Sequence, residues 1–177
     1  MNKKKLKIIG IILAFGLCFP LHFLYEKFPN FITSILAPVN QSIWEHMKIL
    51  FGGIILSGAI QKIIILAKNE KLNNICFSNF IAALLSIPIF LIMYLPLYYL
   101  LGENMILSIS VMLITIIIAE IISYLIIEKE DLKLEKITIF LVLLIYVIFG
   151  ILTYYPLKNN LFIDPKTNNY GINKASE

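Results

Sequence analysis

Five apolar stretches, each as long as a bilayer is thick, constrain this chain more than anything else in it. They cover roughly residues 6–25, 44–67, 77–101, 105–127 and 137–155. A helix rising ~1.5 Å per residue needs ~20 predominantly apolar residues to cross a hydrocarbon core ~30 Å thick. Backbone polar groups in hydrocarbon must be satisfied within the segment, so each stretch is read as a helix. The hydrophobic fraction is 59% and the mean hydropathy +0.87, whereas a soluble domain is about 45–50% apolar. The excess therefore faces lipid. The five spans, short loops and a polar tail over 156–177 account for all 177 residues, with no room for a separate soluble domain. The expectation is an all-α fold: one polytopic membrane helix bundle forming a single integral membrane domain. Pro88 and Pro96 fall inside the third span, where bilayer helices tolerate proline if neighbours re-satisfy the freed carbonyls.

Lys3, Lys4, Lys5 and Lys7 precede the first apolar run as in a signal peptide, but no small-x-small cleavage site follows. Leu17 before Cys18 is too large for a lipoprotein cleavage site. The segment is read as an uncleaved first span. With the N-terminus in the cytoplasm, the inner segments hold nine lysines (Lys3, Lys4, Lys5, Lys7, Lys68, Lys71, Lys129, Lys133, Lys136). The outer ones hold four (Lys27, Lys158, Lys166, Lys174), with Lys48 and Lys62 inside span two. This bias predicts N-terminus in and C-terminus out. The net charge of +4 comes from lysine alone. No basic amphipathic surface with interleaved aromatics is present, which argues against a nucleic-acid partner; the lipid bilayer is the expected one. Cys18 and Cys76 fall at different depths, so no disulfide is expected, and there is no CxxC pair or Cys/His zinc cluster.

Against this apolar background, Asn40-Gln41-Ser42-Ile43-Trp44-Glu45-His46-Met47-Lys48 stands out at the mouth of span two. Polar groups at a bilayer edge are costly without partners, which makes the cluster a candidate site. Phe31, Ile32, Ile35, Leu36 and Val39 repeat at helical spacing before Pro38 breaks the pattern. They predict a short interfacial or re-entrant helix between the first two spans, lying over the outer face as a lid. Beneath it, spans one, two and five would form the floor of an outward polar pocket.

His22 and Glu26 share a helix face, and topology brings them to the depth of His46 and Glu45. Two imidazoles and two carboxylates suit zinc, whose bound water becomes a nucleophile near neutral pH. A His22, His46, Glu26 ligand set follows, although Glu45 and His46 point about 100° apart on a helix. Haem held by His22 and His46 is a weaker reading with no other feature behind it. Plain structural roles compete. Ser42-x-x-Glu45 matches a capping box, with Ser42 as helix cap and Glu45 reaching back to the Ser42 amide. Trp44 suits an interfacial belt, Lys48 is expected to snorkel outward, and His46 to satisfy a neighbouring carbonyl.

Deeper in the bundle, Glu120 in span four requires a partner, and Lys62 in span two is the natural one, as an intramembrane relay or a packing ion pair. Tyr94, Tyr98, Tyr99, Tyr154 and Tyr155 read as aromatic belts. Gly52, Gly53, Ser57, Gly58 and Ala59 read as a close-packing face. Asp164-Pro165 through Gly171 reads as consecutive turns, with Asp164 in the loop.

The Asn-x-Ser-x-Trp-Glu-His-Met-Lys run resembles a family of small integral membrane proteins from Firmicutes that carries only a domain-of-unknown-function label. Two further segments add to the likeness: His-Phe-Leu-Tyr-Glu closing span one, and Tyr155-Pro156 with Leu161 to Gly171. The resemblance implies about five spans in a bacterial plasma membrane and brings no activity or ligand. Gln41 departs from the glutamate associated with that motif position. Three functions remain open on the residues. One is a hydrolase or transferase on a lipid-linked or small-molecule ligand at the outer leaflet, with His46 as base or ligand and His22, Glu26, Glu45 and Lys48 in support. Another is a small transporter using Lys62 and Glu120. The third is a non-catalytic membrane interaction protein.

Overall fold

The computed structural model describes residues 2–102 and 104–172. Glu103, in the turn after span three, and Lys174, in the tail, lie outside the described residues. Six helices follow one another: α1 (Lys3–Lys27), α2 (Phe31–Leu36), α3 (Ile43–Ala67), α4 (Ile75–Leu101), α5 (Met105–Ile127) and α6 (Glu135–Tyr154). All but α2 are long and apolar enough to cross a membrane, so the chain is a multi-pass helical membrane protein. Among the described residues no strand forms, and the tail contributes one isolated antiparallel bridge, Ile163 to Tyr170. Each span begins and ends within three residues of its expected limits.

Polar residues at the ends explain where the helices start. Asn2 Oδ1 accepts from Lys4 N, Asn30 Oδ1 from Ile32 N and Thr33 N, and Asn104 Oδ1 from Ile106 N and Leu107 N. Each satisfies amide groups that the first helical turn leaves without partners. A reciprocal capping box does form, but at α2, where Asn30 N also donates to Thr33 Oγ1 at 3.1 Å. Asn74, ahead of α4, instead reaches across to the α5–α6 loop. It donates to Glu130 O and accepts from Leu132 N, at 2.8 and 2.9 Å. α4 runs unbroken through Pro88 and Pro96.

Helices α1, α3, α4 and α5 form a four-helix core, while α6 lies to one side against α2 and α4. Ala14, Cys18, Leu50, Phe51, Ile54, Ala83, Phe90 and Ile116 are buried at the centre. The rest of the apolar surface faces outward, as it must in lipid. The closest approach is between α1 and α3. A Cβ on Gly53 would stand 2.9 Å from Ala14 O and 2.8 Å from Cys18 Sγ. Next to it, Ser57 Oγ donates to Gly10 O at 2.9 Å. Lipid tails are as apolar as leucine, so membrane helices associate through such small-residue contacts and interhelical hydrogen bonds. The expected small-residue face on α3 therefore forms with Gly52, Gly53, Ser57 and Gly58 buried; Ala59, turned off that face, is exposed.

The expected lid is displaced. Helix α2 exists where the apolar spacing placed it, but it leans on α6. Ser34 Oγ and Tyr154 Oη lie 3.1 Å apart, and Ile35 packs on Gly150. Its buried residues are Thr33 and Ser34, while Phe31 and Ile32 are exposed. Phe31 and Ile32 therefore turn away from the protein, Ile35, Leu36 and Val39 are half-buried, and the polar residues are drawn in by partners described below.

Replacing Gly53 with valine is expected to force α1 and α3 apart and cost about 1–3 kcal/mol, the usual range for overpacking. Ala59→Val, on an exposed position of the same helix, should leave stability unchanged. Unfolding of both variants in a mixed-micelle SDS titration checks the contrast.

Candidate functional site

The polar motif divides into two sets of side chains that point in different directions. One set forms a buried clamp. Lys48, fully buried, donates to Glu45 Oε2 at 2.6 Å, to Ser34 O at 2.7 Å and to Thr153 Oγ1 at 2.5 Å. Those three acceptors use all three ammonium protons. Thr153 Oγ1 in turn donates to Glu45 Oε1 at 2.9 Å, and Val39 N donates to Glu45 Oε2 at 3.0 Å. The ion pair thus joins α3 to the α2 segment and to the end of α6. This corrects two expectations. Lys48 does not snorkel, because a carboxylate one turn back and two further oxygens complete its shell. Ser42 caps α3 by accepting from Glu45 N at 3.3 Å, but the capping box is only half formed. The Glu45 carboxylate is committed to Lys48, and Ser42 N donates to Asn40 Oδ1 instead.

The motif also holds the tail. Trp44 N donates to Leu161 O at 2.9 Å, and the Trp44 indole stacks on Phe162 with centroids 4.8 Å apart. Asn40 Nδ2 donates to Gly171 O at 2.9 Å. Asp164, expected in a solvated loop, is buried instead and folds the strap by accepting from Lys166 N and Thr167 Oγ1. Gly171 has φ +63 and sits where a Cβ would meet Thr153 O at 2.5 Å, so the strap can close on α6 only with glycine there.

The other set faces a cavity. About 640 Å³ of space is enclosed by α1, α3, α4, α5 and the strap, within the ~300–1,000 Å³ usual for small-molecule sites. Its walls do not include α2 or α6, so the floor expected from spans one, two and five is instead built by spans one to four. Its roof is the strap residues Asn160, Ile163, Pro165 and Lys166. Polar side chains gather at one end (Glu26, Gln41, Asn104, Lys166), and Cys18, Leu50, Phe90 and Met112 close the other.

His22 and His46 both line this cavity, with ring centroids 5.3 Å apart. His46 Nδ1 lies 2.8 Å from Ser42 O. A carbonyl can only accept, so Nδ1 carries the proton and Nε2 of the neutral ring keeps its lone pair. His22 Nδ1 is buried without a hydrogen-bond partner, and such a group costs about 1–3 kcal/mol until something satisfies it. Glu26, four residues after His22, lines the same cavity, as do Tyr94 and Tyr98 from the expected aromatic belt. Of the residues singled out from sequence, His22, His46 and Glu26 meet here, while Glu45 and Lys48 are turned away into the clamp. Among the described residues no three His, Cys, Asp or Glu side chains come together as a metal-binding group.

At the opposite end of the bundle Glu120 does not pair with Lys62. Its partner is Lys7, at 3.1 Å and almost wholly buried. The Lys7 ammonium also reaches Ser123 Oγ (2.6 Å), Gln61 Oε1 (2.9 Å) and Asn79 Oδ1 (3.1 Å). Gln61 Nε2 donates to Glu120 Oε1 at 3.1 Å, and Ser123 Oγ donates to Ser78 Oγ at 3.0 Å. Lys62 is one position round the helix from Gln61, which turns it out of the core. It binds Glu135 at 3.0 Å with its side chain 40% exposed, and it also donates to Cys76 Sγ. Lys7 lies one turn from Lys3, so by sequence it is indistinguishable from the flanking lysines. The missed signal was polar residues inside apolar runs: Asn79, Ser78 and Ser123 each mark the inward face of their helix.

Lys48→Met should leave Glu45 charged and buried without its partner, costing about 3–5 kcal/mol. Lys48→Met combined with Glu45→Gln should recover much of that loss, and His46→Ala should cost little. A double-mutant cycle read by thermal unfolding in detergent tests the clamp against the alternative that the motif is wholly a ligand site.

No curated protein and no solved structure matches the chain. A family model described as a family of unknown function, DUF6512, matches residues 1–172. A five-span bundle whose Trp-Glu-His-Met-Lys run both clamps the fold and lines its cavity is thus the structure of a member of the DUF6512 family.

Proposed function

We propose that this protein is a membrane-embedded enzyme, a hydrolase or transferase that acts on an amphiphilic, lipid-linked substrate with His22 and His46 as its acid–base pair. The observation that carries the reading is the position of the two imidazoles within the cavity. From Glu26 at the polar end to Cys18 at the apolar end is eight residues of α1, or about 12 Å of depth. His22 lies between them. Along α3, His46 likewise lies between Ile43 and Leu50. A lipid-linked molecule with its head at the polar end and its chain against Phe90 and Met112 would hold the head–chain linkage beside both rings.

The chemistry follows from the hydrogen bond at Ser42. With Nδ1 of His46 committed there, Nε2 is available to take a proton from water or from an acceptor hydroxyl. The oxygen so activated bonds to the carbonyl carbon or phosphorus of the linkage. The bond to the leaving oxygen breaks, and His22 in its protonated form gives that oxygen a proton. Glu26, one turn away on α1, lines the cavity beside that imidazole. A zinc ion is not needed for these steps. The transport reading has less support, because Glu120 is occupied by Lys7 and Lys62 lies outside the core.

With Lys7 placed inside the bundle, eight lysines on the inner side against four on the outer support a bacterial plasma-membrane topology with the N-terminus in the cytoplasm and the cavity opening to the outer face. In a protein carrying Cys18→Ala and Cys76→Ala, Lys166→Cys should react with a membrane-impermeant maleimide in intact cells. Labelling only after lysis would reverse the topology.

For the activity, purified protein is incubated with a total bacterial lipid extract and the products are followed by mass spectrometry. His46→Ala and His22→Ala should each slow turnover by about 10²–10⁴, the usual worth of a general acid or base, with helical content unchanged. Turnover that survives in both variants, or no altered lipid with the wild-type protein, would sink the reading.

A further inference from the structure

The polar end of the cavity carries two charges that do not satisfy each other. Glu26 comes from the last turn of α1 and Lys166 from the strap, and both line the cavity. Among the described residues neither takes part in an ion pair: the pairs formed there are Lys3 with Glu128, Lys7 with Glu120, Lys48 with Glu45 and Lys62 with Glu135. His22 lies within electrostatic reach of both Glu26 and Lys166, and His46 within reach of Lys166 and of the buried Asp164 carboxylate, which is held within the strap. The Lys166 ammonium, the imidazoles and the amides of Gln41, Asn104 and Asn160 offer donors to an anionic group. Glu26 is the one carboxylate on the lining, and it offers the complement for a cation.

We infer that the cavity selects an amphiphile whose head carries both charges, an anionic phosphate and a cationic amine. The phosphate would lie toward Lys166 and the imidazoles, and the amine toward Glu26. This rests on the proposed reading of the cavity as the seat of a lipid-linked substrate, and it adds the head group. A purely anionic head would meet Glu26 unpaired, and a purely cationic one would meet Lys166 unpaired. Only a head bearing both groups gives each protein charge an opposite one to meet. The apolar end is closed by Cys18, Phe90 and Met112.

The test uses the full chain in detergent and three single-chain probes of equal length: lysophosphatidylethanolamine, lysophosphatidylglycerol and an alkyltrimethylammonium. Binding is read by native mass spectrometry and by tryptophan fluorescence of Trp44. The zwitterionic probe should bind most tightly. Exposed charge contacts are each worth a few-fold in affinity, so Glu26→Gln should erase about threefold to fivefold of the preference over the anionic probe. Lys166→Gln should do the same against the cationic one. Equal affinity for the zwitterionic and anionic probes, or a ratio unmoved by Glu26→Gln, overturns the inference. Met112→Trp separates the two levels of failure. If it abolishes probe binding while the charge variants leave the ratios unchanged, the cavity is the seat and only the head-group inference falls. If binding survives Met112→Trp, the probes sit elsewhere, and the reading of the cavity falls together with the inference.

Discussion

An ammonium group inside a bilayer must bring its own solvation, and two lysines that do so hold this protein together. Lys7 gathers oxygens from α3, α4 and α5, and Lys48 gathers them from α2, α3 and α6. Together these two shells touch every helix. Desolvating an ion pair costs several kcal/mol per charge, and the attraction offsets that only when geometry and further hydrogen bonds are complete. Each ammonium has oxygens enough for its three protons, while Glu120 Oε2 accepts no hydrogen bond and meets Lys7 through charge alone. The pairs therefore do more to fix which helices are neighbours than to add net stability. Wrong neighbours would leave a charge bare in hydrocarbon.

That constraint shapes the site. Successive residues on a helix point about 100° apart, so the motif cannot send Glu45, His46 and Lys48 to one place. Glu45 and Lys48, three residues apart, share the face toward α2 and α6 and form the clamp. His46 falls on the face toward α1, where Gly53 lets the two helices approach closely and brings His22 within 5.3 Å of it. A motif that reads as one polar cluster is thus a rigid anchor with a cavity-lining imidazole on its back. The anchor holds the Ser42 carbonyl that orients the His46 ring.

The spans were legible because hydropathy over twenty residues is a strong signal that packing does not override, and the small-residue face of α3 was legible for the same reason. The meeting of His22, His46 and Glu26 followed from topology alone, since alternating spans bring their ends to a common depth. What sequence did not reveal was rotation about the helix axes. Lys62 and Gln61 are adjacent, yet one faces out and the other binds Glu120. The apolar spacing of α2 placed a helix correctly but suggested that its greasy side covers the bundle, when Phe31 and Ile32 face outward, Ile35 leans on α6 and Thr33 and Ser34 turn inward. In a membrane an apolar stripe no longer points to the core, so the buried polar residues carry that information: Asn79, Ser123 and Thr153 mark inward faces that hydropathy averages away.

The strap over the cavity is fastened by residues far apart in the chain: Asn40 and Gly171 are 131 positions apart. During synthesis the motif is made early and waits while three more spans are inserted. The walls of the cavity are complete once α5 is in place, but its roof and Lys166 arrive only after α6. Until then the imidazoles face an open trough, and the order of synthesis makes the roof of the cavity the last part of the protein to form.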